Sequence, residues 1–546
     1  MTNTSTRTTA GKTERQIRRE LNDRLRRLEY GAAQHDPLKN PSEATFGQRA
    51  KRAVILIMLT ALVPGGAQSV IGNHRLGRIG LSVTLINWTL IALTVLGVLV
   101  ARGFTMSLAF NQYVQSIGIF YLAAIAAGWL ILWLDTARII KFVKLKPSAR
   151  PILGFLLVAL MILTSGGAAY GAYLLNASTS SLGAIFGSGP AVDESDGRYN
   201  ILIMGADAGE GRTGLRPDSI SVASINADTG KIVLFSIPRN FQNARFASDS
   251  PLWNVYPDGY SCGDSCIVNS LYMDVTNNHS SLYPTSDDPG AEAMMDAASG
   301  ILNLDVSGYV MVDMDGFSEL IDAMGGVEVT TGGWTPYRGQ RPDGEWGNAW
   351  WKPDTYTLDG DDALGFARSR NWSTDYSRIQ RQQCVQQAML SQFDVPTLVT
   401  RFEGILGAGE QMVETSIPQS QVGSFLNLGI KSQRQDMERL TIGAPDFGDQ
   451  GEQFSTYPDF DEVHQRVDEM LTEDGTPPSG AHLMQPTIGM YFAQAGSDDP
   501  TAGWDPVPTQ PDGSEITEEY LMWAEDTGQE NLLSDAAETN HQCHPG

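Results

Sequence analysis

Apolar residues gather in four long blocks before residue 176, and in short apolar or alternating runs after residue 198. The blocks cover roughly 53–71, 79–101, 116–135 and 151–175. About 20 apolar residues are enough for a helix to cross a bilayer, and the last three blocks reach that length. The first, VILIMLTALVPGGAQSVIG, carries Pro64-Gly65-Gly66 at its middle. Proline and paired glycines break a helix, so this block predicts a re-entrant or surface-lying hairpin. Residues 177–197, rich in Ser, Gly and Ala, predict a linker.

From Tyr199 the period changes. YNILIMG, SISVASIN, KIVLFSIPR and GYVMVDMDGF predict strands, and AEAMMDAASGIL and SELIDAMGG predict helices. DDALGFARSR reads as a helical turn running into a strand, and DYSRIQRQQCVQQAMLSQF as a long helix. Further helices are expected near 395–414, 418–430 and 459–472. Strands alternating with helices predict an α/β fold, layered α/β/α, over 198–474. Residues 475–546, acidic and rich in Pro and Gly, predict a tail without fixed structure, although Trp504, Tyr520 and Trp523 leave a docking role open.

Charge orients this scheme. Residues 1–52 hold 12 Lys/Arg against 6 Asp/Glu, and no Lys or Arg follows Arg466. Cationic flanks stay cytoplasmic. That rule places the N-terminal tail 1–52, the Arg75/Arg78 connection, and the segment bearing Arg138, Lys141, Lys144, Lys146 and Arg150 on the inner side. The three placements agree only if the first block does not cross. Three spans within the 53–176 membrane region then put everything after 176 outside the cell. A cleavable signal peptide is excluded, because about 50 polar residues precede the first apolar block. The net charge of −25 across 546 residues argues against a nucleic-acid partner.

Four cysteines are present: Cys262, Cys266, Cys384 and Cys543. The C-x3-C pair lacks the second ligand pair that zinc usually takes. An exported domain favours a Cys262–Cys266 disulfide, with Cys384–Cys543 as a second candidate.

One group of residues stands out against the acidic background. Arg368 and Arg370, two apart on the expected strand, would share a face. Arg378 and Gln382, four apart on a helix, would share another. Arg239 ends the third strand, and Asp207 and Asp218 flank the first two. Guanidinium groups match phosphate oxygens in bidentate fashion. Two carboxylates beside a phosphate suit Mg²⁺. Alternatives stay open at this point: the arginines could be surface ion pairs and the acids turn or cap residues.

The segments NILIMGADA, RPDSISVASIN, KIVLFSIPRN, YVMVDMDGFSELIDAMGGVEV, LDGDDALGFARSR and DYSRIQRQQ, in this order, resemble the LytR–CpsA–Psr family of cell-wall glycopolymer transferases. The resemblance covers about half the chain. The hairpin PGGAQSVIGNHRLGRIG is similar to the membrane region of actinobacterial-type members. The resemblance implies a membrane-anchored phosphoglycosyl transferase that moves a glycan from a polyprenyl-pyrophosphate carrier to peptidoglycan outside the cell. It implies Asp207 and Asp218 as Mg²⁺ ligands, and Arg239, Arg368, Arg370, Arg378 and Gln382 as the pyrophosphate cradle, with Arg239, Asp218 and Arg370 catalytic. It also implies a channel for the prenyl tail, for which Leu271, Met294, Met295, Phe317 and Leu320 are candidate liners. Two departures are visible: Asn240 stands where members carry Asp, and Ile267 where they often carry Lys. A pyrophosphatase using water as acceptor, and a non-catalytic lipid-binding regulator, are the competing expectations.

Overall fold

The computed structural model describes residues 22, 44–186, 191–206, 216–392, 401, 404–405, 413–433, 435, 437–448, 454–472, 501 and 504–545. Two compact units emerge. One comprises residues up to 101 and 113–177, the other 102–112 and 178 onward.

In the first unit, three helices are long and apolar enough to cross a membrane: His74–Val100, Gln112–Lys144 and Ala149–Gly183. The first apolar block does break. Helix Phe46–Leu62 ends at Val63, and Gly66–Ile71 follows. Gly65 joins them at φ +92°, and a Cβ there would lie 2.6 Å from the Leu81 backbone nitrogen, so only glycine fits this close approach. Inside the unit Thr60 pairs with Thr136 at 2.8 Å, and Gln68 Nε2 donates to the Leu132 carbonyl at 2.9 Å. The last helix runs on to Ile185 and so takes up much of the stretch expected to be linker. Continuous helical spacing through ASTSSLGAI outweighs its small-residue composition.

The second unit is built on a six-stranded sheet ordered β10-β3-β2-β1-β4-β9. Its strands are β1 (Arg198–Ala206), β2 (Pro217–Asn226), β3 (Ile232–Ser236), β4 (Gly308–Asp313), β9 (Val413–Thr415) and β10 (Glu438–Thr441). β1 pairs antiparallel with β2 and parallel with β4. Alternation along these strands makes two faces. Leu202, Met204, Ile220, Val222, Val233, Phe235 and Met311 pack into the main core with helices Val268–Asp274, Pro289–Leu302 and Phe460–Thr472. The other face meets helix Asp375–Gln392, whose Gln383 Nε2 donates to Ser236 Oγ at 2.9 Å. The result is the expected α/β/α layering.

Smaller sheets flank this core. β5 (Val327–Thr331) lies between β8 (Asp354–Leu358) and β11 (Cys543–Pro545), while β6 (Thr335–Gln340) and β7 (Trp346–Trp351) form a hairpin. The hydrophobic pattern did not predict these strands, because their apolar positions are interrupted by Gly, Pro and polar residues. The helix expected over 395–414 falls largely outside the described residues, and its end, 413–415, is strand β9 rather than helix. Helix Arg102–Phe110, also unanticipated, packs on Val422–Ser432; a Cβ on Gly423 would come within 2.5 Å of the Met106 carbonyl oxygen.

The expected unstructured tail is corrected over 504–545. Helices Glu518–Asp526 and Glu530–Ala536 and strand β11 form a module on the domain. Leu521, Ala524, Leu533 and Ala536 pack with Trp334 and Trp350. A low average hydropathy concealed these few well-placed apolar residues. The stretch 473–500 lies outside the described residues. Both candidate disulfides are formed, with Cα–Cα separations of 5.2 Å for Cys262–Cys266 and 6.0 Å for Cys384–Cys543.

Candidate functional site

Two helices deliver the cationic side chains. Gly360–Arg368 begins at Asp359, whose side chain accepts from the Asp362 amide. It ends at Ser369, with φ −53° and ψ 129°. Arg368 therefore closes a helix and Arg370 follows in an irregular segment, which corrects the expected strand. The two arginines share a cavity wall because the chain leaves the helix between them, not through strand alternation.

What holds this turn is Arg381, one helical turn beyond Arg378 and fully buried. Its guanidinium donates to the carbonyls of Phe366 (3.1 Å) and Ser369, and to Asn540 Oδ1 (2.7 Å). Burial lowers its pKa and the neighbouring Arg378 adds to the effect. Three acceptors nonetheless satisfy the charge, as a buried guanidinium requires. The Cys384–Cys543 bridge fastens the same helix to the C-terminal module.

Around Asp375 the other arginines converge. Its Oδ1 lies 3.1 Å from Arg378 Nη2, 3.6 Å from Arg370 Nη1 and 3.9 Å from Arg239 Nε. Arg239 Nη1 also donates to Asp218 Oδ1 at 2.8 Å. Proximity here outruns hydrogen bonding. Asp375 Oδ1 and Arg378 Nε are both buried with no hydrogen-bond partner among the described residues. Burial pulls the Arg378 pKa down; Asp375 opposes that shift, Arg239 adds to it, Asp218 opposes it, and Arg370 adds to it. Three guanidiniums held by two carboxylates keep a net positive charge with donor capacity in reserve.

This cluster opens on a cavity of about 1530 Å³. Asp218, Arg368, Arg370, Arg378 and Gln382 are among its lining residues. Apolar side chains, Ile203, Val312, Phe317, Leu320, Met389 and Trp351 among them, share its walls with further polar residues such as Asp313 and Asp362. Of the candidate channel liners, Phe317 and Leu320 line this cavity, whereas Leu271, Met294 and Met295 do not. Those three belong to the core on the opposite sheet face, where their helices cover Leu202 and Met204.

The expected residues therefore meet in part. Arg239, Arg370 and Arg378 converge with Asp218, and Arg368 and Gln382 share their cavity; Asp207 lies outside the described residues. Sequence reasoning assigned no role to Asp375, although Asp375-x-x-Arg378 at i,i+3 on a helix was a usable signal. It offered none for Asn540, 159 residues from its partner Arg381. Asn240 is exposed beside Arg239, and Ile267 caps helix Val268–Asp274 without a side-chain hydrogen bond.

A model of the LytR_cpsA_psr family matches residues 175–474, more than half of the chain. The polyisoprenyl-teichoic acid–peptidoglycan teichoic acid transferase TagU of Halalkalibacterium halodurans is 26% identical over 280 residues, 49% of this chain and 78% of that protein. TagU of Bacillus subtilis is 26% identical over 274 residues, 48% of this chain and 76% of that protein. Biofilm regulatory protein A of Streptococcus mutans is 24% identical over 237 residues, covering 42% and 53%. Among solved structures, B. subtilis TagV is 20% identical with a TM-score of 0.35, covering 52% of this chain and 100% of that one. TagT bound to LI-WTA is 17% identical with a TM-score of 0.34, covering 53% and 96%.

Proposed function

This chain belongs to the LytR_cpsA_psr family, and on that footing we propose that it is a membrane-anchored phosphoglycosyl transferase acting outside the cell. Its donor is a glycan on a polyprenyl pyrophosphate and its acceptor a peptidoglycan hydroxyl, the 6-hydroxyl of N-acetylmuramic acid by family resemblance. The observation that carries the reading is one cavity lined by both cationic and apolar side chains. Arg239, Arg370 and Arg378 stand around Asp375 with donors in reserve, and Arg370 and Arg378 line a cavity whose walls also carry Phe317, Leu320 and Met389. A pyrophosphate joined to a prenyl chain has that same division.

The acceptor oxygen bonds to the sugar-side phosphorus, and the bond from that phosphorus to the bridging oxygen breaks. Polyprenyl monophosphate leaves with the bridging oxygen, and the glycan remains on the wall through a phosphodiester. Arg370 and Arg378 orient the diphosphate and absorb charge as the P–O bond opens. Arg239 ties that cradle to Asp218. Asn240 cannot accept the hydroxyl proton, which must pass to another base.

Mg²⁺, when bound, supplies further charge stabilisation at the phosphate oxygens. Among the described residues no group of three or more His, Cys, Asp or Glu gathers to hold a metal. Mg²⁺ does not need one, since it takes one or two carboxylates together with phosphate oxygens and water. Asp218, 42% exposed and lining the cavity, fits that role, and family resemblance offers Asp207 as the second carboxylate.

Anchoring and orientation rest on the three apolar helices and their cationic flanks. Helix Arg102–Phe110 packs on Val422–Ser432 of the domain, as expected if the connection after the first span lies on the domain's side. Two disulfides suit an oxidising exterior.

The test incubates the full-length protein with a polyprenyl-pyrophosphate-linked glycan, peptidoglycan fragments and Mg²⁺. Phosphodiester-linked product and polyprenyl monophosphate are expected, both lost in Arg370→Ala and Asp218→Ala. Release of free glycan phosphate without linked product would establish a pyrophosphatase instead. Donor binding without any turnover would leave a binding protein.

A further inference from the structure

Strand alternation places Arg338, Asn348 and Trp346 on one face of the β6–β7 hairpin, where Arg338 pairs with Asn348 and Gln340 with Trp346. All three line the large cavity, yet Trp346 is 75% exposed. A lone exposed tryptophan is unremarkable; its surroundings are not. Asn371, directly after Arg370, donates from Nδ2 to Asn348 Oδ1 at 3.0 Å. Asn348 in turn donates to Glu525 of the C-terminal module. Arg341 Nη2 donates to Asp526 at 2.9 Å. Trp350 stacks on Trp372 at 5.2 Å and 12° and packs into the module's apolar cluster. The module thus fixes this face in place next to the arginine cradle.

A pyranose ring offers a C–H face that suits an indole, and hydroxyl edges that suit amides, a guanidinium and a carboxylate. The first sugar of the donor is joined through one oxygen to the sugar-side phosphorus. The residues next beyond the cradle must therefore meet it. We propose that Trp346, Asn348, Asn371 and Arg338, braced by Glu525, form a subsite for the first pyranose of the donor. The proposal rests on the transferase reading above. It gives the module outside the family-matched region a working role: holding the glycan wall of the site.

Binding to the full-length protein in detergent micelles tests this with two probes. One is a short-chain polyprenyl pyrophosphate; the other is the same molecule bearing one N-acetylhexosamine on its terminal phosphate. The wild type should bind the sugar-bearing probe about tenfold more tightly, the gain expected from covering one ring face. Trp346→Ala should erase that difference while leaving affinity for the sugar-free probe unchanged. Trp346→Phe should keep part of it, and Glu525→Ala, acting through Asn348, should reduce it. Equal weakening of both probes by Trp346→Ala, or an undiminished difference, would overturn the subsite. So would a Trp346-dependent loss confined to a muramic-acid-containing peptidoglycan fragment, which would assign the face to the acceptor. A wild type that fails to bind the sugar-free probe would instead bring down the transferase reading itself.

Discussion

Replacing Cys384 and Cys543 together by alanine should free the C-terminal module to open without unfolding the domain. The bridge joins positions 159 residues apart. Loop-closure entropy for that length sets a ceiling of about 5 kcal/mol, and removal of native bridges commonly costs about 2–4 kcal/mol. Other contacts remain to hold the module: the buried Arg381–Asn540 bond at 2.7 Å, worth about 1.5–3 kcal/mol as a charged hydrogen bond, the β11–β5 ladder over three residues, and the cluster around Leu521 and Leu533. The module should therefore stay docked but open more often. Amide hydrogen exchange at Leu533 and Ala537 should accelerate on the order of 30- to 1000-fold, the factor that about 2–4 kcal/mol implies. Exchange in β1 and β2 should change little. Replacing Cys262 and Cys266, only four residues apart, by alanine serves as the control and should leave module exchange unaltered. Unchanged exchange in the Cys384/Cys543 variant, or a rise spread evenly over the domain, would refute the reasoning.

The remaining predictions concern the site and the core. Arg370→Lys keeps the charge but loses the fork that matches two phosphate oxygens, so donor turnover should fall by about 100-fold, with folding intact by circular dichroism. Leu320→Asp puts a carboxylate in the apolar cavity wall; affinity for long-chain prenyl pyrophosphates should drop while inorganic pyrophosphate binds as before, compared by calorimetry. Burial raises the Asp296 pKa, although Ser250 and Tyr283 donate to its carboxylate. The folded state then holds that proton more tightly than the unfolded chain, so this contribution to stability is present at low pH and is lost as pH rises from the ordinary carboxylate value through the folded pKa. Denaturant titrations across that window should show this slope in the wild type and a flatter one in Asp296→Asn.

Much of this protein was legible because its signals are local. The three long helices need only length and apolarity, and Pro64-Gly65 needs only backbone chemistry to break the first block. Strands β1 to β4 announce themselves as short apolar or alternating runs, and Arg378 and Gln382 by helical spacing. The rest depended on which distant segments meet. Arg368 and Arg370 were identified by residue type, but their wall is shaped by Arg381 reaching to Ser369 and Asn540, a contact no window of sequence contains. Leu271, Met294 and Phe317 are equally apolar, and only the side of the sheet on which each helix packs separates core from cavity wall. The acidic C-terminal stretch reads as solvated because average polarity hides a handful of residues whose partners lie on a hairpin more than 150 positions earlier. Local pattern decides which elements form, since it sets backbone preference and the face to be buried. Tertiary packing decides which charges share a cavity, because convergence is a property of the folded surface and not of spacing along the chain.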